Sequence, residues 1–504
     1  MVYLLWFLDI RTLILGILVV LFLMWLRYKP RNLPPGPWGL PILGSIPAIV
    51  LAVRRGVQPH QIFDEYAQKY GPVFRVRMFT TTVVVLNDFP SIKAAFQNPR
   101  LNDRPHMLLT EALKSDGVVM ASGEPWVQLR SFCLTVLRSL GVGKSSFEEQ
   151  IAVEGQALLT EIASYKERPF NPKPQLSNAV LNVICAVVFS QRYDYADREI
   201  RELIDGLLSI VKQLGAGGAL NFFPGLRHLP YSGMDKVLGN YDKVVQFLTK
   251  QIDAHRATLD AENMRDFTDV YLKEIQQNYG SNGTDVGSPL TARSHLSEGN
   301  LVGTIGNLLI AGSVTTSATL QWGLLYMMVY QEVQKRVQAE IDTVVGRNRL
   351  PRLADKPNLN YTQAVIWEIQ RLGSVAPLGV SHAAGADTQL NGMDIPKDAL
   401  LVANLWAVFR DPKLWPEPGQ FKPERFLDCE GKAVKPEELI PFSTGRRSCI
   451  GEFLAKMELY IFFSYFMHQF EVRKPDNSTP LSLKGVGGLT YEPMPFEIRV
   501  IKRD

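Results

Sequence analysis

The segment Pro441-Phe-Ser-Thr-Gly-Arg-Arg-Ser-Cys-Ile-Gly-Glu-Phe453 decides how the rest of the 504-residue chain is read. Phe442 is followed by a glycine-bearing loop, Arg447 and Cys449, and Gly451 then opens an apolar helical pattern. A cysteine at a helix start meets free backbone N–H groups and the positive end of the helix dipole, both of which favour a thiolate. Gly445 and Gly451 let the backbone approach a flat ligand closely, and Arg447 is placed to pair with an anion. On these grounds alone the segment is one of several kinds of thiolate site, a redox or nucleophilic cysteine included. The remaining cysteines, at 133, 185 and 429, give neither a disulfide framework nor a zinc-type pair.

The spacing Phe442-x-x-Gly445-x-Arg447-x-Cys449-x-Gly451 is more specific. It matches in full the haem-binding signature of the cytochrome P450 family, which this chain resembles. The resemblance implies haem b with Cys449 as the axial ligand of its iron. Glu368 and Arg371 lie three apart on one helix face; alone, they would equally be a solvent-exposed pair. They match the family's Glu-x-x-Arg motif and, with Pro423-Glu-Arg-Phe426, imply a structural Glu368–Arg371–Arg425 network behind the cysteine loop. Trp126 and Arg130 match a Trp-x-x-x-Arg helix whose side chains contact the haem propionates. His382 matches a histidine that often does the same; outside the resemblance it would be an ordinary surface residue. Further matches, from Arg104-Pro105 to Asp411-Pro412, extend the likeness over residues 30 to 504. The Phe189–Tyr195 segment and Met457-Glu-Leu459 look most like animal microsomal P450s that oxidise drugs, steroids and fatty acids.

Ala311-Gly-Ser-Val-Thr-Thr316 matches the family's central helix, where the glycine region, here Gly312, bends the helix over the haem. The alcohol at the Thr315 position helps deliver protons. The position before it is usually acidic, and here it is Val314. Two readings follow. Water held by Thr315, Ser313 or backbone carbonyls replaces the acid, and the chain is a monooxygenase converting RH, O2, NADPH and a proton into ROH, water and NADP+. Its electrons then come from NADPH–cytochrome P450 reductase, with cytochrome b5 as a further donor. Alternatively the chain rearranges or dehydrates oxygenated lipids without a reductase. No dinucleotide-binding fingerprint sits in a βαβ pattern, which agrees with NADPH binding on the partner.

Around this site the chain reads as a mainly helical α+β protein with a small β-rich portion. Residues 1–29 form an apolar anchor interrupted by Asp9 and Arg11. Arg27, Lys29 and Arg31 follow its apolar part, Met1 to Leu26, predicting a cytosolic body, a lumenal amino terminus and residence in the endoplasmic reticulum membrane. A cleaved signal peptide is the competing reading, and the bulky, charged Trp-Leu-Arg-Tyr-Lys sequence speaks against a cleavage site. Residues 30–45 are a proline-rich hinge and 46–504 a single catalytic domain. The apolar stretch Leu301–Val329 reads as either a second span or, given its Gly, Ser, Thr and Asn content, a buried core helix. Segments 105–118, 208–223, 304–315, 375–380 and 485–489 correspond to pocket walls in relatives. Their apolar content predicts a lipophilic small-molecule substrate, and no charged side chain stands out as a carboxylate clamp. Net charge is only +4 and no arginine stripe is present, so nucleic acid is not expected as a partner.

Overall fold

The computed structural model describes residues 10–27, 32–105, 117–214, 234–279, 295–475 and 481–504. The outer parts of the expected anchor, most of pocket segments 105–118 and 208–223, and the start of the hinge lie outside these residues. The described chain forms two compact units, one reaching Asn102 and including Ser381–Asn404, the other Asp103–Val380 with Leu405–Asp504.

The first unit contains helices α1 (Ile10–Arg27), α2 (Ile46–Arg54), α3 (Pro59–Tyr70) and α4 (Phe89–Gln97), with strands β1 (Val73–Met78) and β2 (Thr81–Leu86). Strands β3 (His382–Ala383), β4 (Thr388–Leu390), β5 (Met393–Ile395) and β6 (Leu400–Ala403) complete it. Local chemistry sets the helix ends. Pro59 opens α3, where a helix needs no N–H, and the Gln58 amide donates to Gln61 Oε1 at 3.0 Å. Asp88 caps α4 by accepting from the Ser91 amide at 3.1 Å. The β-branched and aromatic runs Val73–Phe79 and Thr82–Leu86 read as a small hairpin, and the hairpin forms, pairing Val73 with Leu86, but Phe79 is a turn residue with φ of 54°. A two-residue hairpin needs positive φ, so the strand stops one residue sooner than β-propensity suggests. Strand β2 then pairs in parallel with β6, and β6 antiparallel with β3, giving the order β1-β2-β6-β3.

The second unit is helical: α5 (Gly117–Met120), α6 (Gly123–Ser139), α7 (Ser145–Ala163), α8 (Lys173–Phe189), α9 (Arg198–Leu214), α10 (Met234–Ala257) and α11 (Phe267–Tyr279) come first. They are followed by α12 (Glu298–Val329), α13 (Gln331–Val344), α14 (Asn360–Gly373) and α15 (Glu452–Gln469). Short strands β7 (Phe470–Arg473), β8 (Gly485–Val486), β9 (Glu492–Pro493) and β10 (Arg499–Lys502) close the chain. The apolar core is built from α8, α12 and α15, with Trp322, Tyr326, Phe462 and Phe466 among its largest buried side chains. Each such burial contributes roughly 1.5–3 kcal/mol. Helix α12 is long and apolar enough to cross a membrane. Its residues from Ser313 to Met328 are nevertheless almost all buried inside the unit, Thr315 excepted, which makes it a core helix.

Helices α10 and α11 are tied by a buried charge cluster. His255 Nε2 lies 3.0 Å from Asp266 Oδ2 and Nδ1 lies 2.8 Å from the Gln251 carbonyl oxygen, so both ring nitrogens face acceptors. Burial alone would lower the imidazolium pKa. The hydrogen bonds to Asp266 and Gln251 and the charges of Asp266 and Asp269 outweigh it and raise the pKa above 6.5. Stability from this group is therefore complete below the unfolded value, about 6.5, and is lost as pH rises through the higher folded value. Asp269 acts in the opposite sense. Its pKa is lowered despite burial by the Arg265 side chain, so its share is present above the unfolded value and lost in acid. His255→Gln is expected to cost roughly 1.5–3 kcal/mol near pH 6. In unfolding curves the gap from wild type should narrow as pH rises; a gap independent of pH would refute the charged state.

Candidate active site

The cysteine segment runs as turns and becomes helical only at Glu452, with Gly451 as N-cap. Positive φ at Ser443 (62°) and Gly445 (76°) curls the loop, and the Cys449 amide donates to the Phe442 carbonyl oxygen at 2.9 Å. Cys449 keeps accessible surface although protein surrounds it closely. Burial pushes its thiol pKa up; the Gly451 N–H and the Arg130 guanidinium pull it down, and Glu452 adds to the rise. The Gly451 N–H and the Arg130 charge thus act in the sense expected for a helix start, while desolvation acts against them.

Three arginines converge on this loop. Arg130 of α6 donates to the Ser448 carbonyl oxygen at 2.7 Å. Arg447 donates to the Ala121 carbonyl oxygen at 2.7 Å and lies 4.0 Å above the Trp126 ring, with Trp126 itself buried. Arg104 reaches the carbonyl oxygens of Val119 at 3.0 Å and Val380 at 2.9 Å. Burial, with repulsion from Arg447 and Arg130, lowers the Arg104 pKa to about 9. Burial is also the main cause that lowers Arg447 to about 10; Asp103 acts against it, and Arg130 and Arg446 add to it. All three remain charged at neutral pH. Three mutually repelling cations beside an accessible sulfur fit a bound group that carries negative charges at its edge and takes a thiolate at its centre. Gly451 agrees: a Cβ there would meet no protein atom within 4 Å, so protein packing does not require the glycine. The residues present fit a haem.

In α12 an accessible stripe interrupts the buried run. Ala311 is exposed and Thr315 half-buried, with Thr315 Oγ1 donating to the Ala311 carbonyl oxygen at 2.7 Å. Ser313 is buried and donates to the Leu309 carbonyl oxygen at 2.6 Å. Val314 is buried and borders a cavity of about 10 Å³ with Ser177, Ser313 and three apolar residues of α9, Ile204, Leu207 and Leu208. Helix α12 runs unbroken through Gly312, and the glycine has a packing reason. A Cβ there would lie 2.6 Å from Ile184 Cδ1 of α8. Gly312→Val is expected to cost about 1–3 kcal/mol, read as a lower midpoint of thermal inactivation; an unchanged midpoint would refute the tight α8–α12 contact.

Behind the loop, Glu368 and Arg371 of α14 are fully buried and joined through two hydrogen bonds of 2.7 and 2.8 Å. Arg425 donates to Glu368 Oε1 at 3.2 Å and the Lys422 amide to the same oxygen at 2.7 Å. Arg371 also binds the carbonyl oxygens of Phe409, Pro418 and Gln420. Its planar five-donor fork therefore pins several turns of the 409–425 segment at once. His382 lies in the first unit, buried, with Nδ1 3.0 Å from the Leu101 carbonyl oxygen and its ring stacked on Phe96 at 3.9 Å. It is a core residue of that unit, not the surface histidine its loop sequence would otherwise suggest.

Sequence reasoning did not single out Arg104, Asn307 or Glu458. Asn307 Oδ1 accepts the Val119 amide at 2.9 Å, and Gly117, with φ of 53°, leaves no room for a Cβ against Gly303 and Asn307. Together they pin α5 to α12. Only the long-range fold brings these residues together, although Arg104 and Glu458 fall in segments that carry the family likeness.

Helix-rich architecture, minor sheets and a cysteine loop beside arginines fit a haem-thiolate protein. The description "Cytochrome P450" matches residues 34–500. The chain is 38% identical over 504 residues to mouse (Mus musculus) cytochrome P450 2J5, covering 98% of this chain and 97% of that protein. It is 37% identical over 494 residues to human (Homo sapiens) cytochrome P450 2J2, covering 96% and 94%. To human cytochrome P450 2U1 it is 38% identical over 518 residues, covering 97% and 93%. The chain belongs to the cytochrome P450 family. It is a haem-thiolate monooxygenase that inserts one oxygen atom of O2 into a lipophilic small molecule, with electrons from NADPH through P450 reductase.

Proposed function

We propose that Cys449 supplies the thiolate to the haem iron, that Arg104, Arg130 and Arg447 hold the propionates, and that Thr315 passes protons on the substrate side of α12. The observation that carries this reading is the accessible sulfur of Cys449 beside the half-buried Arg130 guanidinium, which the buried Arg104 and Arg447 adjoin. The haem, when bound, supplies the reductive activation of O2, which a thiolate ligand favours. Trp126 backs Arg447 and fixes its direction, and Phe442 fixes the cysteine turn through its carbonyl. The Glu368–Arg371–Arg425 network holds the 409–425 segment that leads into the cysteine loop. The apolar, uncharged sequences at 304–315, 375–380 and 485–489 favour a lipophilic substrate held mainly by burial.

Helix α1 serves as the membrane anchor in this reading. Its 18 residues at ~1.5 Å each span roughly 27 Å, close to the ~30 Å of hydrocarbon, and Leu13 to Val20 are exposed. The lysines and arginines after it favour a cytosolic body on the endoplasmic reticulum. Exposed Arg138 and Lys144, with exposed Phe453 beside Gly143, favour this region as the basic face for the reductase and cytochrome b5.

The test is incubation of the full-length holoenzyme with reductase, NADPH, oxygen-18 gas and a library of lipophilic compounds, read by mass spectrometry. Label is expected in a product only when NADPH and reductase are both present. An unlabelled product formed without them, above all from a lipid hydroperoxide, would overturn the reading.

A further inference from the structure

A second cavity, lined by no residue of α12, lies between α14, α15 and the short helical turn Leu353–Asn358. Its volume is about 170 Å³. Ile366 and Trp367 of α14, with Leu459 and Tyr460 of α15, give it an apolar and aromatic wall. The Tyr460 hydroxyl donates to the Arg352 carbonyl oxygen at 3.0 Å, which fixes the ring in that wall. Three lysines line the same space: Lys356 from the turn, Lys435 from the chain before the cysteine loop, and Lys456 from α15. Lys456 pairs with Glu452, one helical turn earlier, at 2.5 Å. Lys356 Nζ stands 5.5 Å from the centre of the Tyr460 ring. Among the described residues, neither Lys356 nor Lys435 has a carboxylate at ion-pair distance. Partial burial and repulsion from Lys456 lower the pKa of both, with Glu452 acting against this at Lys435. An apolar hollow ringed by unmatched cations suits a ligand with an anionic head and an apolar body.

Size and charge narrow the class. A cavity of roughly 150 Å³ is filled by a single benzene ring, so this one encloses one ring and not a long acyl chain. Three ammonium charges less the Glu452 carboxylate leave two. A phosphate monoester carries nearly two negative charges at neutral pH and matches that remainder. We propose that this hollow binds a small aryl phosphate monoester, its phosphate held by Lys356, Lys435 and Lys456 and its ring laid against Trp367 and Tyr460. The site is separate from the substrate side of α12 and needs neither haem chemistry nor the reductase to be filled.

Phenyl phosphate is the probe, titrated by calorimetry into the full-length holoenzyme in phosphate-free buffer with no reductase present. One molecule is expected to bind per chain. Lys356→Met and Lys435→Met should each weaken binding by about tenfold or more, the worth of a hydrogen bond between charged groups. Lys335→Met, at an exposed lysine of α13 paired with Glu332, should leave it unchanged. Phenyl sulfate keeps the ring with one charge fewer, and inorganic phosphate keeps the charge without the ring. Each should bind about tenfold more weakly than phenyl phosphate, or worse. Lys435 is exposed and Lys356 half-buried, and the reduced carbon monoxide spectrum checks that each variant keeps its haem site. Should Lys356→Met lose that spectrum, Lys435→Met decides alone. Wild-type affinity in the lysine variants would place the probe elsewhere and overturn the inference. Inorganic phosphate binding as tightly as phenyl phosphate would overturn it as well, because the aromatic wall would then hold nothing. Absence of saturable binding, with reductase affinity reduced in the same variants, would make these lysines docking groups for the reductase instead.

Discussion

Replacing Cys449 with alanine is expected to erase the thiolate-type spectrum of the reduced carbon monoxide complex and to bring NADPH-dependent product formation to background. The size of the effect follows from the site. Burial raises the free thiol, and the opposing N–H of Gly451 and charge of Arg130 do not offset it, so a haem iron held there would be what ionises the sulfur. The other described cysteines cannot substitute. Cys133 is buried, with its thiol pushed up to about 12 mainly by desolvation, and Cys185 is raised further still. Cys429 is exposed and lies on a separate turn. Absorbance of the reduced carbon monoxide complex decides the matter, and an intact thiolate signature in Cys449→Ala would sink the assignment.

Glu368→Ala is expected to produce the largest loss of stability. Glu368 and Arg371 are both fully buried, and Arg425 is nearly so. Removing the carboxylate leaves an uncompensated guanidinium in the interior at a cost of roughly 3–5 kcal/mol. The Lys422 amide loses its acceptor as well. The expected outcome is a large fall in the temperature of inactivation and in the haem retained after purification, because the 409–425 segment loses its hold on Arg371. Arg371→Lys is a sharper companion variant. It keeps the charge but not the fork that reaches Phe409, Pro418 and Gln420 together, so haem retention should fall there too. Wild-type retention in both variants would leave the network without a structural role.

Helix positions were legible because their signals are local. The period and length of residues 59–70, 331–345 and 360–372 correspond closely to α3, α13 and α14. The β-branched runs after Gly71 become a hairpin for the same reason. The choice between span and core for the 301–329 stretch was not local. Apolarity on every side suits both, and the packing of α8 and α15 against α12 decided it. Gly312 shows the same division. Its place in the motif is read from sequence, but its closeness to Ile184, more than a hundred residues earlier, is not.

By itself the sequence determined the cysteine, its spacing to Phe442, Gly445, Arg447 and Gly451, and the Glu368–Arg371 pair, because these patterns are written in neighbouring residues. Tertiary structure alone decided what surrounds them. It brought three arginines from separate segments close enough to repel one another beside the cysteine loop, turned His382 into a buried residue stacked on Phe96, and buried the Glu458 carboxyl of α15. The physical reason is that desolvation and charge depend on which distant segments exclude water at a point in space. That cannot be read from the order of residues along the chain.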